Sequence, residues 1–163
     1  MRKIVLGVVA GLMLCACVSV DCPVQNKVEA VYYLMSPGGG RDTLNSDTLS
    51  IWTHRADNTD TTLLNRLCGA KVQFSIPVSY TNPFDSLFVW LKDDEGNSWK
   101  DTICLYKENY PHFESVDCQA SYFHKITAVK CSTNGIDSIV LRNTDVNYGN
   151  NDAHFHLYLK ADR

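Results

Sequence analysis

Apolar residues in this chain recur at every second position in short runs, and no stretch keeps a helical period for ten residues. Successive side chains of a strand point to opposite faces, so a two-residue repeat specifies strands buried on one side. The pattern is clearest at residues 71–76, where Val72, Phe74 and Ile76 point inward and Lys71, Gln73 and Ser75 outward. Residues 48–53 set Leu49 and Ile51 against Ser50 and Trp52, residues 99–106 set Trp99, Ile103 and Leu105 on one side, and residues 153–159 alternate through Phe155, Leu157 and Leu159. Residues 27–35, 87–91, 122–130 and 136–141 read as further strands, and 62–68 as either a strand or a short helical turn.

Turn chemistry separates these runs. Ser36-Pro37-Gly38-Gly39-Gly40 ends the first, Pro77 and Pro83 bracket a loop, and Asp93-Asp94-Glu95-Gly96-Asn97 reverses the chain. Asn134-Gly135 between two apolar runs is the strongest hairpin signal, because both residues tolerate a positive φ. Seven to nine short strands with short connections predict an antiparallel β-sandwich, immunoglobulin-like in kind, with a small closed barrel as the alternative. A parallel sheet would need crossover connections longer than those available. The chain has 163 residues, 45 % of them hydrophobic and 20 % charged, which suits one globular domain with its own core.

The first residues read as an address. Met1-Arg2-Lys3 is a basic n-region, and the eleven apolar residues from Ile4 to Leu14 fit a signal-peptide core but not a membrane span. Leu14-Cys15-Ala16-Cys17 resembles the bacterial lipobox, which implies a signal peptide over residues 1–16 and diacylglyceryl and acyl groups on Cys17. Residues 17–23 are then a lipidated tether and 24–163 the β-sandwich domain. Losing Arg2 and Lys3 takes the 15 basic residues to 13 against 18 acids, so the mature net charge is −5 instead of −3. A negative chain argues against non-specific nucleic-acid binding and leaves the membrane hold to the acyl chains.

An exported chain keeps disulfides. After Cys15 and Cys17, five cysteines remain: Cys22, Cys68, Cys104, Cys118 and Cys131. Their spacing contains no C-x-x-C, which removes support for a thioredoxin-like centre or a zinc ribbon. Cys22 and Cys118 both lie beside acidic, turn-like sequence and form the preferred pair. The alternatives are a Cys104–Cys131 bridge between adjacent strands, or those two as buried thiols.

Motifs that carry chemistry are scarce. G-x-S-x-G, H-E-x-x-H and a phosphate-binding glycine loop are all absent from the sequence. His154 and His156, two apart on a strand, would share a face and could hold a metal with His124 or His112 as a third ligand; otherwise they are solvent-facing partners of Phe155 and Leu157. A Cys118 dyad with His112 or His124 is a combination that any chain with this many cysteines and histidines allows. The acidic segments 57–60 and 93–97 resemble calcium loops only in part, since neither extends to a twelve-residue EF-hand. Tyr32, Tyr33, Trp52, Trp90, Trp99, Tyr106, Tyr110, Phe113, Tyr122 and Phe123 could line a carbohydrate or peptide groove, though strand positions favour core or cross-strand pairs. No cofactor is implied.

Residues 109–118 (NYPHFESVDC), 122–127 (YFHKIT), 133–140 (TNGIDSIV) and Val146-Asn147-Tyr148, with Asp21-Cys22-Pro23 directly after the lipobox, carry a likeness. Together they are similar to a family of uncharacterised lipoproteins of the Bacteroidetes with a domain of unknown function. The resemblance implies a lipid anchor in the cell envelope, at the outer membrane, with the periplasmic or surface face open. It places the family's paired cysteines on Cys22 and Cys118; Cys68, Cys104 and Cys131 stand outside that pattern. It implies no activity and no catalytic residues. Two readings follow: a membrane-anchored binding or assembly module with an envelope protein or glycan as partner, or an envelope metal-binding protein or enzyme using the histidines.

Overall fold

The computed structural model describes residues 28–55, 57–148 and 152–161. Ten strands run through them: β1 (Glu29–Met35), β2 (Asn45–His54), β3 (Asp60–Gly69), β4 (Gln73–Pro77), β5 (Phe84–Lys92), β6 (Ser98–His112), β7 (Ser121–Cys131), β8 (Ile136–Leu141), β9 (Asp145–Val146) and β10 (Phe155–Leu159). They form a four-stranded sheet in the order β4-β1-β10-β8 and a six-stranded sheet in the order β3-β2-β5-β6-β7-β9. No helix occurs among the described residues. The expected sandwich is therefore what the chain forms. The immunoglobulin likeness extends to this two-layer packing, while the strand order is its own. The ambiguous segment 62–68 is strand, the middle of β3.

The alternation fills the space between the layers. Leu49 and Ile51 of β2, Leu87, Val89 and Leu91 of β5, and Ile103 and Leu105 of β6 point in from the large sheet, and each is at most 2 % exposed. The small sheet answers with an aromatic stack. Tyr32 of β1 lies opposite Phe74 of β4 and Phe155 of β10, with ring centroids 5.0 Å and 4.8 Å away. Burial and stacking act together here, since aromatic pairs stabilise beyond the area they bury.

Two expectations are corrected. The sandwich is not wholly antiparallel, because β1 and β10 pair in parallel. His154 starts that pairing: its main-chain N–H donates to Val31 O at 2.9 Å, and its ring Nδ1 accepts the Val31 N–H at 2.9 Å. The imidazole thus does the work of a ladder carbonyl.

The second correction concerns Asn134-Gly135, which is not a hairpin. β7 belongs to the large sheet and β8 to the small one, so the segment crosses between layers. Neither residue takes a positive φ. What shapes the crossing is the carboxylate of Asp101 on β6, 5 % exposed. Its Oδ1 accepts from Ser132 Oγ at 2.6 Å and Asn134 N at 2.8 Å. Its Oδ2 accepts from Gly135 N at 2.7 Å and Ile136 N at 2.9 Å. Glycine is needed at 135 for space: a Cβ there would lie 2.7 Å from Trp99 Cβ. A hairpin does join β5 to β6 at residues 93–97, where Gly96 has φ 96° and the Asp93 carboxylate accepts the Asn97 N–H.

Burial alone would raise the Asp101 carboxyl, but the hydrogen bonds from Ser132, Asn134, Ile136 and Gly135 outweigh it and hold it below the usual carboxylate range. A carboxyl lowered on folding stabilises above its unfolded pKa of about 3.9, and that stability is lost as pH falls through the folded value. Asp101→Asn removes the charge and turns an amide N–H₂ toward backbone donors. It should cost about 2–4 kcal/mol in the urea unfolding midpoint at pH 7 and flatten the loss of stability below about pH 4. Wild-type stability at pH 7 in that variant would show that the four hydrogen bonds are not what holds the crossing. Gly135→Ala should cost about 1–3 kcal/mol by overpacking against Trp99, and a neutral thermal midpoint would contradict the close approach.

Candidate functional site

The strand alternation that fills the core leaves the intervening residues of the large sheet facing out. On a sheet that merely meets water these would be polar. Here the outer face carries Trp52 and His54 from β2, Phe84, Phe88 and Trp90 from β5, Tyr106 and Tyr110 from β6, and Phe123 from β7. Register makes them neighbours: Trp52 lies opposite Phe88, Phe84 opposite Tyr106, and Tyr110 opposite Phe123. The Trp52 and Phe88 rings stack at 5.9 Å, and His54 leans on Phe88 at 4.6 Å. Phe84 is 52 % exposed, Tyr110 43 %, Trp90 41 % and Tyr106 40 %. Lysines approach two of these rings, Lys100 at 5.8 Å from Trp90 and Lys130 at 5.7 Å from Tyr106. An exposed apolar surface of this kind marks a binding face more often than an inert one.

The face is concave at one end. β3 is the edge strand, and its pairing with β2 shifts register three times between Asn45 and Trp52. At the centre of the irregular stretch Arg66 holds φ 48°, a left-handed conformation uncommon outside glycine, and its N–H donates to Ser50 Oγ at 3.2 Å. Beside the irregular strand lies a groove of about 460 Å³, lined by Trp52, Trp90, Asp60, Thr62, Asn65, Arg66 and Lys100 together with Ser50 and Ile51. A second hollow of about 200 Å³, lined by Thr48, Ser50, Arg66, Trp90 and Lys92, shares Ser50, Arg66 and Trp90 with it. Asp60 is the acid of the pair of hollows, and His54 Nδ1 stands 2.5 Å from its Oδ1. The set combines two indoles, short hydroxyl and amide groups, and three cations. That chemistry stacks rings and holds anions.

The histidines are dispersed. His154 is fully buried and uses both ring nitrogens inside the fold, Nδ1 on Val31 N and Nε2 donating to Asp145 O at 3.1 Å. Its ring lies along the sheet rather than standing on a face with His156, which corrects the expectation of a shared face. His156 stacks on Tyr33 at 6.1 Å; burial first, then Arg142 and Arg41, depress its pKa. His124 is buried in β7, with Nδ1 2.7 Å from Asn109 Oδ1. Burial, and secondarily Lys107, bring its pKa to about 4, so the ring is neutral at pH 7. Among the described residues, no three His, Cys, Asp or Glu side chains come together as a metal site. The acidic loops close on themselves: Asp57 accepts from Thr59 N and Oγ1, and Asp93 from Asn97 N and Nδ2.

Cys68, Cys104 and Cys131 are free thiols. Cys104 lies opposite Lys130 and Cys131 opposite Ile103, one residue out of step. Their side chains therefore leave opposite faces of the sheet, which rules out a bridge between them. Cys131 packs against the core, while Cys104 sits half-buried on the outer side. Cys118, buried in the loop between β6 and β7, is disulfide-bonded. Cys17 and Cys22 lie outside the described residues, as does the whole signal and tether.

Of the aromatics singled out in the sequence, Tyr32 and Trp99 face the core, and Tyr33 lies on the small sheet under the Arg41 guanidinium, 3.1 Å from its ring centroid. Trp52, Tyr106, Tyr110 and Phe123 form cross-strand aromatic pairs, as expected, but on the outer surface of the large sheet, where Trp90 also stands; Tyr122, next to Phe123, leaves the opposite face of β7 and stacks on Tyr80 at 4.8 Å. The residue that sequence reasoning missed is Arg66. Its signal, a polar Asn65-Arg66 interrupting the strand pattern, is too weak to locate a bulge.

No curated protein and no solved structure matches the chain. A family model described as "Family of unknown function (DUF6452)" matches residues 48–159, from within β2 to the last residue of β10, and so takes in strands of both sheets, though not β1, and every residue of the groove. On that match the chain belongs to the family of unknown function DUF6452.

Proposed function

We propose that this chain is a cell-envelope lipoprotein that acts as a tethered binding module, with the outer face of the six-stranded sheet as its working surface. The observation that carries the reading is the exposed aromatic face with its groove beside the bulged edge strand. A groove lined by indoles, amides, hydroxyls and cations is equipped to hold a ligand, and its lining pairs no nucleophile with a base. The tether is supported by the basic n-region, the apolar run and the lipobox-like Leu14-Cys15-Ala16-Cys17. The three acyl chains that a diacylglyceryl and an N-acyl group put on Cys17 supply stable anchoring where a single chain gives only reversible binding. Cys22 is the proposed partner of Cys118. A bridge five residues past the lipid cysteine would shorten the tether and fix how the domain stands above the bilayer.

Labelling cells with an alkyne fatty acid should tag the wild type and place it in the membrane fraction, while Cys17→Ala is neither tagged nor sedimented. Equal labelling of both would end the lipoprotein reading. In non-reducing peptide maps the Cys22 and Cys118 peptides should appear joined, and reduction should cost about 2–5 kcal/mol of stability. Quantitative alkylation of Cys22 in the unreduced native protein would refute the pairing.

A further inference from the structure

We propose that the groove between Trp52, Trp90 and Arg66 binds an acidic oligosaccharide, a sugar ring stacked on an indole and its carboxylate or sulfate held by Arg66 and Lys100. The proposal rests on the binding-module reading and names the class of ligand.

Charge is the first argument. The chain as a whole is acidic, at −3, yet Arg66, Lys92 and Lys100 gather around Trp90 against the single acid Asp60. Asp60 is already engaged by His54. None of the three cations has an ion-pair partner among the described residues. A local cationic cluster on an acidic protein is complementary to an anionic ligand. Guanidinium matches a carboxylate or sulfate with two parallel hydrogen bonds, which makes Arg66 the orienting group and Lys100 a supporting point charge.

The shape of the surface selects the rest of the ligand. Trp90 stands open on the sheet, 41 % exposed, and presents an aromatic plane to solvent. A pyranose ring offers an apolar C–H face to such a plane and hydroxyls at its rim. Ser50, Thr62 and Asn65 place short donors and acceptors around the indoles. A peptide strand would instead seek the unpaired edge of β3. That edge is broken by register shifts and by Arg66 in a left-handed conformation, which disfavours continuous strand addition. Arg66 is also where the backbone carries strain, and such strain concentrates at positions that bind.

The test uses the full acylated protein in a polyoxyethylene detergent, which contains no sugar. Tryptophan fluorescence and calorimetry are followed with three probes: tetragalacturonate, a mannuronate tetramer and a chondroitin sulfate tetrasaccharide. Cellotetraose serves as the neutral comparison. At least one acidic probe should bind saturably and at least tenfold more tightly than cellotetraose, and added salt should weaken it. Trp90→Ala should weaken both acidic and neutral binding by tenfold or more. Arg66→Gln should abolish the preference for the acidic probe, and Arg66→Lys should restore part of it. Unfolding midpoints of the variants separate lost binding from lost structure. Three acidic probes without saturable binding, equal affinity for cellotetraose, or undiminished binding by a folded Trp90→Ala protein would each overturn the assignment. If binding fails while Cys17-dependent labelling holds, the glycan assignment falls and the envelope reading stands.

Discussion

The Asp101 carboxylate is buried near the start of the large sheet's longest strand, and four donors converge on it from a single stretch of five residues. Three of those donors are main-chain N–H groups that would otherwise be stranded where the chain leaves one sheet for the other. A buried backbone N–H must find a partner, and a crossing between layers has no ladder to supply one. A carboxylate can take several such bonds at once, each stronger than its neutral counterpart. The burial cost of the charge is thereby covered by ligation from its own fold. The crossing is stitched from the other side as well: Lys160 N donates to Gly135 O at 3.0 Å, and Lys160 Nζ to Thr133 O at 2.7 Å. The C-terminal strand, the crossing and β6 are thus one unit, and the relative placement of the two sheets follows from it.

A second buried ion reinforces the opposite stretch of β6. Lys107 Nζ lies 3.1 Å from Asp85 Oδ1 and donates to Asn82 O at 2.7 Å. Burial raises the Asp85 carboxyl, and Lys107 opposes that shift. Lys107 follows the bulge in the β6–β7 ladder. The extra residue, Thr127, changes the parity of β7 so that His124 and Ile126 face inward with Lys107. Without that bulge the same side chains would stand on the outer surface. Each end of β6 therefore buys its geometry with one buried charge whose partners all come from within the fold.

Most of the layer structure was legible because burial writes itself at period two. Residues 71–76 and 99–106 announce their inward faces, and so do 153–159. The continuous run 87–91 hid more: Leu87, Val89 and Leu91 go to the core, but Phe88 and Trp90 go to the outer surface, and hydrophobicity alone cannot tell the two sets apart. Asn134-Gly135 misled for a definite reason. The dipeptide signals a hairpin because it accepts positive φ, whereas here glycine is required by Trp99 and the asparagine side chain donates from Nδ2 to Lys100 O at 2.7 Å, both partners brought up by β6 from more than thirty residues away. His154 and His156 misled similarly. Their spacing was read as a shared face, but His154 sits just before the strand, where its ring completes the hydrogen bonding of Val31. In each case a long-range partner decided the role, and local sequence carries no record of it.

The groove has the same origin as the protection of the sheet edge. A regular β3 would present an unbroken row of N–H and C=O groups to any passing strand, the arrangement that leads to edge-to-edge association. Register shifts and the left-handed Arg66 interrupt that row. A bulge re-aims side chains and increases local twist, so the interruption that guards the edge also shapes the groove beside it. Trp52 and Trp90, outward-facing residues of β2 and β5, line that groove. Arg66 is delivered to that recess by the distorted backbone itself. A regular β3 would re-aim the side chains that line the groove and restore an adhesive edge together. Edge protection and the shape of the groove are therefore coupled in one strand, and a change that improves its regularity alters both.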